Sequence, residues 1–423
     1  MPPGTAKAMG PPFADGLEQL FAALRPMMAT GQPSWTIPSR VNPTLRLTRL
    51  QLQDFRNHAQ AALRFSAGIV VIAGENGSGK TNLLEAISLL GPGRGLRGAR
   101  IADLGRHVGE DSLPWAVSGR FEGPEGVFDL GTGTAHDGPA DKRTFRLDGA
   151  PVRSQAELGR LVAAVWLTPQ MDRLFQEAAS GRRRFLDRLV WALDPNHARE
   201  VSAYENAMTQ RNRLLAEGRD GGRVEARWLD GLEDAMARHG VALTAARRSL
   251  VARLNGALAE GLAGAFPAAL CALECDTASA LETQSALQVE DGLRAALAAR
   301  RGRDAAAGMA LGGPHRCDLR LSHLPKGVPA ELCSTGEQKA LLISTVLAHS
   351  ALIAATRGFA PLLLLDEIAA HLDAVRREAL FAALTALPAQ SFLTGTEPGV
   401  FASLGGVAER FSIEAEGIVP ETA

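Results

Sequence analysis

Gly74-Glu75-Asn76-Gly77-Ser78-Gly79-Lys80-Thr81 fits the pattern G-x-x-x-x-G-K-[ST], and no other stretch constrains the fold as strongly. The pattern works only as a loop joining a buried strand to a helix. The preceding GIVVIAG is a continuous apolar run suited to a central strand, and the following TNLLEAISLLG reads as a helix stopped by Gly91-Pro92. Glycines let successive backbone N–H groups wrap a phosphate, and the helix start adds about half a positive charge. Gly74 through Gly79 are therefore the expected cradle for ATP. Lys80 is the countercharge to the β- and γ-phosphates, and the Thr81 hydroxyl the ligand to Mg²⁺.

Two further segments fit such a site. Asp366-Glu367 ends the apolar run PLLLL, and acids at the mouth of a buried strand are costly unless they meet a cation or do chemistry. Asp366 suits Mg²⁺, and Glu367 the polarisation of an attacking water. Cys333-Ser334-Thr335-Gly336-Glu337-Gln338 precedes a predicted helix over 336–357, with Ser334 as its cap and Gly336 allowing close backbone approach. That helix start is a second anion site in one chain.

The predicted order begins at Leu45. LRLTRLQLQDF alternates as a half-buried strand, and 113–150 holds short strand-like pieces between Gly-rich turns. From about Met171 the chain turns rich in Ala, Leu and Arg with little strand signal, and α/β character returns after Gly312-Gly313-Pro314. The expected organisation is a proline-rich, poorly ordered tail over 1–43, an α/β lobe split into 44–170 and 309–415, and a helical lobe over 171–308 with its own core. The four cysteines make no disulfide framework and fit a reducing cytoplasm; Cys271, Cys275, His315 and Cys317 read as ordinary residues rather than a zinc site. No apolar run reaches the roughly 18–20 residues of a membrane span. Lys plus Arg (45) balances Asp plus Glu (46), so a nucleic-acid partner depends on local basic clusters rather than net charge.

With these pieces in order, the chain from about Leu45 to Ile413 resembles the ABC ATPase superfamily and, within it, the RecF-like proteins. Asp54-Phe55-Arg56-Asn57-His58 resembles their early F-R-N-[YH], which implies Arg56 and Asn57 beside the nucleotide. Thr168-Pro169-Gln170 resembles the Q-loop, implying that Gln170 senses Mg²⁺ and the γ-phosphate. Gly181–Asp187 and the stretch from Tyr204 through Gln210-Arg211-Asn212 to Leu215 look like the opening of the helical lobe. Gly313–Asp318 resembles G-P-H-R-x-D, and Ala370-His371-Leu372-Asp373 the D-loop, with Asp373 at a dimer interface. By the same resemblance Ser334, Gly336, Glu337 and Gln338 reach ATP held by a second copy. The chain departs from the transporter signature S-G-G-Q by reading S-T-G-E-Q, and carries Thr394-Gly395-Thr396-Glu397 where many ABC proteins have a switch histidine. The latter implies slow hydrolysis.

The resemblance implies an ATP-dependent homodimer that binds gapped duplex and single/double-strand junctions in the cytoplasm, with a slow DNA-stimulated ATPase. It also implies work with RecO and RecR to load RecA, supporting replication restart and the SOS response. Candidate DNA contacts are Arg94, Arg97 and Arg100, Arg182, Arg183 and Arg184, and Arg211 with Arg213. A transporter ATPase would place its signature much nearer Gly74. An SMC-like DNA-organising ATPase, the nearest alternative, needs sustained heptads that 171–305 lacks. An ATPase-coupled nuclease needs an acidic domain for which too little chain follows Asp373.

Overall fold

Leu47, Leu50 and Leu52 all face the core although strict alternation would set Leu47 and Leu50 on opposite faces. A register irregularity between Leu47 and Arg49 in the pairing of β1 (Arg46–Phe55) with β6 (Ala116–Gly123) resolves this, since a bulge shifts the phase by one residue. The computed structural model describes residues 45–421, apart from 110, 135–141, 153, 220–224, 262 and 415–416. The tail expected over 1–43 lies outside the described residues.

Two sheets carry the α/β part. The antiparallel one orders β2 (His58–Arg64), β1, β6, β7 (Gly126–Thr134), β8 (Arg143–Leu147) and β9 (Ala150–Pro151). The second orders β10 (Ala164–Leu167), β14 (Leu362–Leu365), β15 (Ser391–Gly395), β3 (Ile69–Gly74), β16 (Ala408–Glu414) and β17 (Gly417–Pro420). All its pairs are parallel except the β16–β17 hairpin. β3 is central and apolar throughout, as parallel strands covered on both faces are. A small hairpin joins β4 (His107–Val108) to β5 (Asp111–Ser112).

Nine helices occur among the described residues: α1 (Lys80–Leu89), α2 (Gln155–Leu161), α3 (Ala179–Leu193), α4 (His197–Arg219), α5 (Ala226–Ala259), α6 (Asp276–Thr283), α7 (Ala286–Ala307), α8 (Thr335–Arg357) and α9 (Ala374–Ala386). Strands from either side of the helical stretch meet in one sheet, β10 with β14 and β3 with β15 and β16. Its core is not separate. Leu186, Leu189, Leu250 and Leu254 of α3 and α5 join the main hydrophobic cluster with β10 and β14, leaving Tyr204, Ala207, Met236, Leu243 and Leu297 as a satellite.

Three expectations need correction. Ala269–Glu274 forms a strand, β11, inside the stretch read as helical; it pairs with β12 (Asp318–His323), itself paired with β13 (Val328–Pro329). Its signal is too short to stand out among Ala and Leu. The register sets Glu274 opposite Asp318, so Cys275 and Cys317, one step further, face each other and form a disulfide. Finally, α8 has a mean hydropathy of 1.5, enough by length and composition to cross a bilayer, but 78% of that window is buried within the protein. A helix apolar all round is one enclosed on all sides.

Candidate nucleotide site

The loop between β3 and α1 depends on Gly79, whose φ of 109° is left-handed and where a Cβ would sit 2.6 Å from Asn57 Nδ2 and 2.9 Å from His58 Nε2. The turn from β1 to β2 thus lies against the loop. Asn57 Nδ2 donates to the Ser78 carbonyl at 3.0 Å and Asn57 Oδ1 accepts from Asn82 at 2.7 Å. A cavity of about 990 Å³ opens over Gly74–Ser78, bounded by Asn57, Thr396 and the β16–β17 hairpin.

Lys80, only 4% exposed, donates to the carbonyls of Gly74 (2.7 Å) and Glu75 (2.9 Å) and lies 3.3 Å from Glu367 Oε1. Thr81 Oγ1 donates to Asp366 at 2.9 and 3.1 Å. The parallel register of β14 and β15 then places Thr394 beside Asp366, and its hydroxyl donates to Asp366 Oδ1 at 2.8 Å. Thr394 Oγ1 also accepts from the Glu367 N–H at 3.0 Å. Glu367 has a φ of 52°, a left-handed conformation that costs a non-glycine residue on the order of 1 kcal/mol and clusters at functional sites. Thr394 was visible in sequence only as a departure at the switch position; here it fixes both acids.

The Thr81 hydroxyl and Asp366 carboxylate are hard oxygen donors of the kind Mg²⁺ takes. Among the described residues no group of three His, Cys, Asp or Glu side chains could cage a metal, so Mg²⁺ here would draw its remaining ligands from phosphate and water. Gln170 is exposed on the turn Pro169–Arg173, and its strand is tied to the acid pair by Asp366 N–H on the Leu167 carbonyl at 2.9 Å.

At the other candidate phosphate site, Ser334 caps α8 in a capping box: its hydroxyl accepts from Glu337 N–H, and Glu337 accepts from Ser334 N–H at 2.9 Å. Lys326, then the Ser334 backbone and hydroxyl, hold the Glu337 carboxyl down at about 2. Gln338 is buried, with its amide on the Cys333 carbonyl. Ser334, Thr335 and the backbone at Gly336 are therefore what this helix start offers outward; Glu337 and Gln338 are engaged within the chain. A Cβ on Gly336 would lie 2.9 Å from Arg376, whose N–H caps onto Asp373 at 2.8 Å, so signature and D-loop adjoin. Lys339 pairs with Asp172 at 3.2 Å, linking α8 to the Gln170 turn.

Several sequence candidates are placed elsewhere. Arg56 turns its guanidinium to Glu85 at 2.9 and 3.0 Å, because that fully buried carboxylate needs a countercharge; Arg97 serves it too, at 3.1 Å. Arg182 is buried in a two-pronged pair with Asp318, 2.7 Å on each arm, and Arg183 donates to the Cys317 carbonyl. Arg182 is therefore not free for DNA. Arg211 is fully buried between Glu233 and Asp304, and Arg213 pairs with Glu217. Arg100 holds Asp103, whereas Arg94 and Arg184 are exposed and line one cleft with Arg97.

The RecF/RecN/SMC N-terminal domain family matches residues 46–410. The chain is 48% identical over 376 residues to the DNA replication and repair protein RecF of Mesorhizobium japonicum, covering 88% of this chain and 97% of that protein. It is 49% identical over 374 residues to the protein of the same name from Agrobacterium fabrum, covering 88% and 98%. A solved structure of the recombination mediator protein RecF with ATP superposes with a TM-score of 0.78 at 22% identity, over 90% of this chain and 98% of that one, which shows the fold. The chain belongs to the RecF family of DNA replication and repair proteins.

Proposed function

We propose that this protein is an ATP-gated, dimeric DNA clamp of recombinational repair. Gly74–Thr81, with Asp366, hold ATP and Mg²⁺; Lys80 neutralises the β- and γ-phosphates, and Gln170 reports the γ-phosphate to α8 through Asp172 and Lys339. Two copies close on ATP, each offering the start of α8 to the nucleotide of the other. The closed dimer prefers gapped duplex and single/double-strand junctions. Glu367 takes a proton from the attacking water, and slow, DNA-stimulated hydrolysis releases the clamp. In the cytoplasm, with RecO and RecR, it helps load RecA, supporting replication restart and the SOS response.

The observation that carries the dimer is the surface around the signature. Leu332, two residues before Ser334, and Val375, two residues after Asp373, are 74% and 80% exposed, and the two segments adjoin through Gly336 and Arg376. Large apolar side chains rimming an exposed helix start suit a face that closes on another protein surface. The relatives' names support the DNA-repair assignment, and a solved relative is described as part of the RecFOR pathway.

Ser334→Arg tests the composite site. The substitution sets a long cation on the cap and leaves Lys80, Thr81 and Asp366 untouched. The monomer should bind ATP within about twofold of the parent. The ATP-dependent dimer should disappear in light scattering; an undiminished dimer would refute the arrangement.

A further inference from the structure

At the C-terminal end of α1, about 15 Å along the helix from the phosphate loop, lies a second cleft of about 870 Å³. It shares no lining residue with the cavity over Gly74–Ser78. Its walls come from the loop after α1, from β8 and β10, from α3 and α4, and from the end of α8.

Arg94, Lys142, Arg143, Arg184, Arg188 and Arg357 line it, and none has a carboxylate partner among the described residues. Arg143 donates to the carbonyls of Leu89, Gly91 and Gly93. Arg357 donates to those of Gly159, Arg160 and Ala192, and Arg188 to that of Trp166 and to the Met171 sulfur. The bonds of Arg143 and Arg357 cap the ends of α1, α2 and α3, and those of Arg188 tie α3 to β10 and the turn after it, a structural role. Carbonyl dipoles do not cancel a full charge, however, and Arg94, Lys142 and Arg184 have no such role. Two carboxylates reach the cleft. Asp187 is already held by Arg247 at 2.7 Å and His197 at 2.8 Å, leaving Glu205 against six cations.

Burial without a countercharge pulls Arg143 and Arg357 down to about 10 and Arg188 to about 9. Four buried donors of the lining residues also lack an acceptor: Arg143 Nε, Arg188 Nε, Trp166 Nε1 and Trp191 Nε1. Buried polar atoms are paired in roughly nine cases of ten, so four orphans around one cationic cleft call for anionic oxygens. The cleft's volume falls within the roughly 300–1,000 Å³ of small-ligand sites, a nucleotide's scale rather than a duplex's.

We propose that this cleft is a second phosphate-binding site, which seats the phosphates of one or two nucleotides of single-stranded DNA. It rests on the DNA-binding function proposed above and adds where the single strand of a junction is held.

The test uses the full chain and a Lys142→Glu/Arg184→Glu variant, both exposed positions, with a fluorescein-labelled oligothymidylate and a blunt duplex at fixed salt. Affinity for the oligothymidylate should fall at least about tenfold, and its salt slope by about 1.4, at about 0.7 for each phosphate no longer neutralised. Duplex binding and ATP binding should stay within about twofold, and Arg294→Ala, outside the cleft and already paired with Asp234, Glu290 and Asp291, should leave all three unchanged. Equal losses on both DNAs, or none, would overturn the proposal. Displacement of the oligomer by equimolar thymidine 5′-monophosphate would overturn it in favour of a free nucleotide. Failure of the parent to bind either DNA would instead sink the DNA-binding function, and the cleft's with it.

Discussion

Lys80→Ala is expected to raise the Kd for ATP at least about a hundredfold, a loss of roughly 2.7 kcal/mol. Lys80 is buried at the loop, with its ammonium on the Gly74 and Glu75 carbonyls and beside Glu367. Its removal deletes charge-assisted hydrogen bonds to phosphate, each worth about 1.5–3 kcal/mol, and leaves Glu367 facing the phosphates without a countercharge. Both effects act against the same anion. Calorimetric titration with ATP and Mg²⁺ measures the loss directly. Binding within about threefold of the parent would mean that the loop is not the nucleotide site.

Glu367→Gln should separate binding from turnover. The amide has nearly the carboxylate's shape, and the hydrogen bond that sets the residue's strained backbone, N–H on Thr394, is made by the main chain and survives. What disappears is the carboxylate to which the proposed cycle assigns the proton of the attacking water. Loss of a general base slows reactions by about 10²–10⁴, so phosphate release should fall at least about a hundredfold with ATP affinity retained. In the proposed cycle hydrolysis opens the dimer, so the variant should accumulate as an ATP-bound dimer in light scattering. Full turnover would assign the base elsewhere.

Most of the candidate nucleotide site was legible because each part carries a local signal. The apolar run of β3, the glycines after it, the apolar run before Asp366 and the cap at Ser334 all lie at the predicted element ends. Contacts set by strand register were not legible. Thr394 reaches Asp366 only because β14 and β15 run parallel in one alignment, and Cys275 meets Cys317 only because β11 pairs with β12. Local charge also misled. Arg182 and Arg184 are equivalent in sequence, yet the first is swallowed by Asp318, more than a hundred residues on, while the second lines an open cleft. Likewise Arg56 sits in a motif that implies the nucleotide, but a buried glutamate on α1 claims it.

The proposed clamp requires ATP to tighten this protein's hold on DNA. Equilibrium binding to a gapped duplex, with and without ATP and Mg²⁺ at near-physiological salt, measures that coupling. Binding should be at least about tenfold tighter with ATP, a coupling of roughly 1.4 kcal/mol. Equal affinity in both conditions would contradict it.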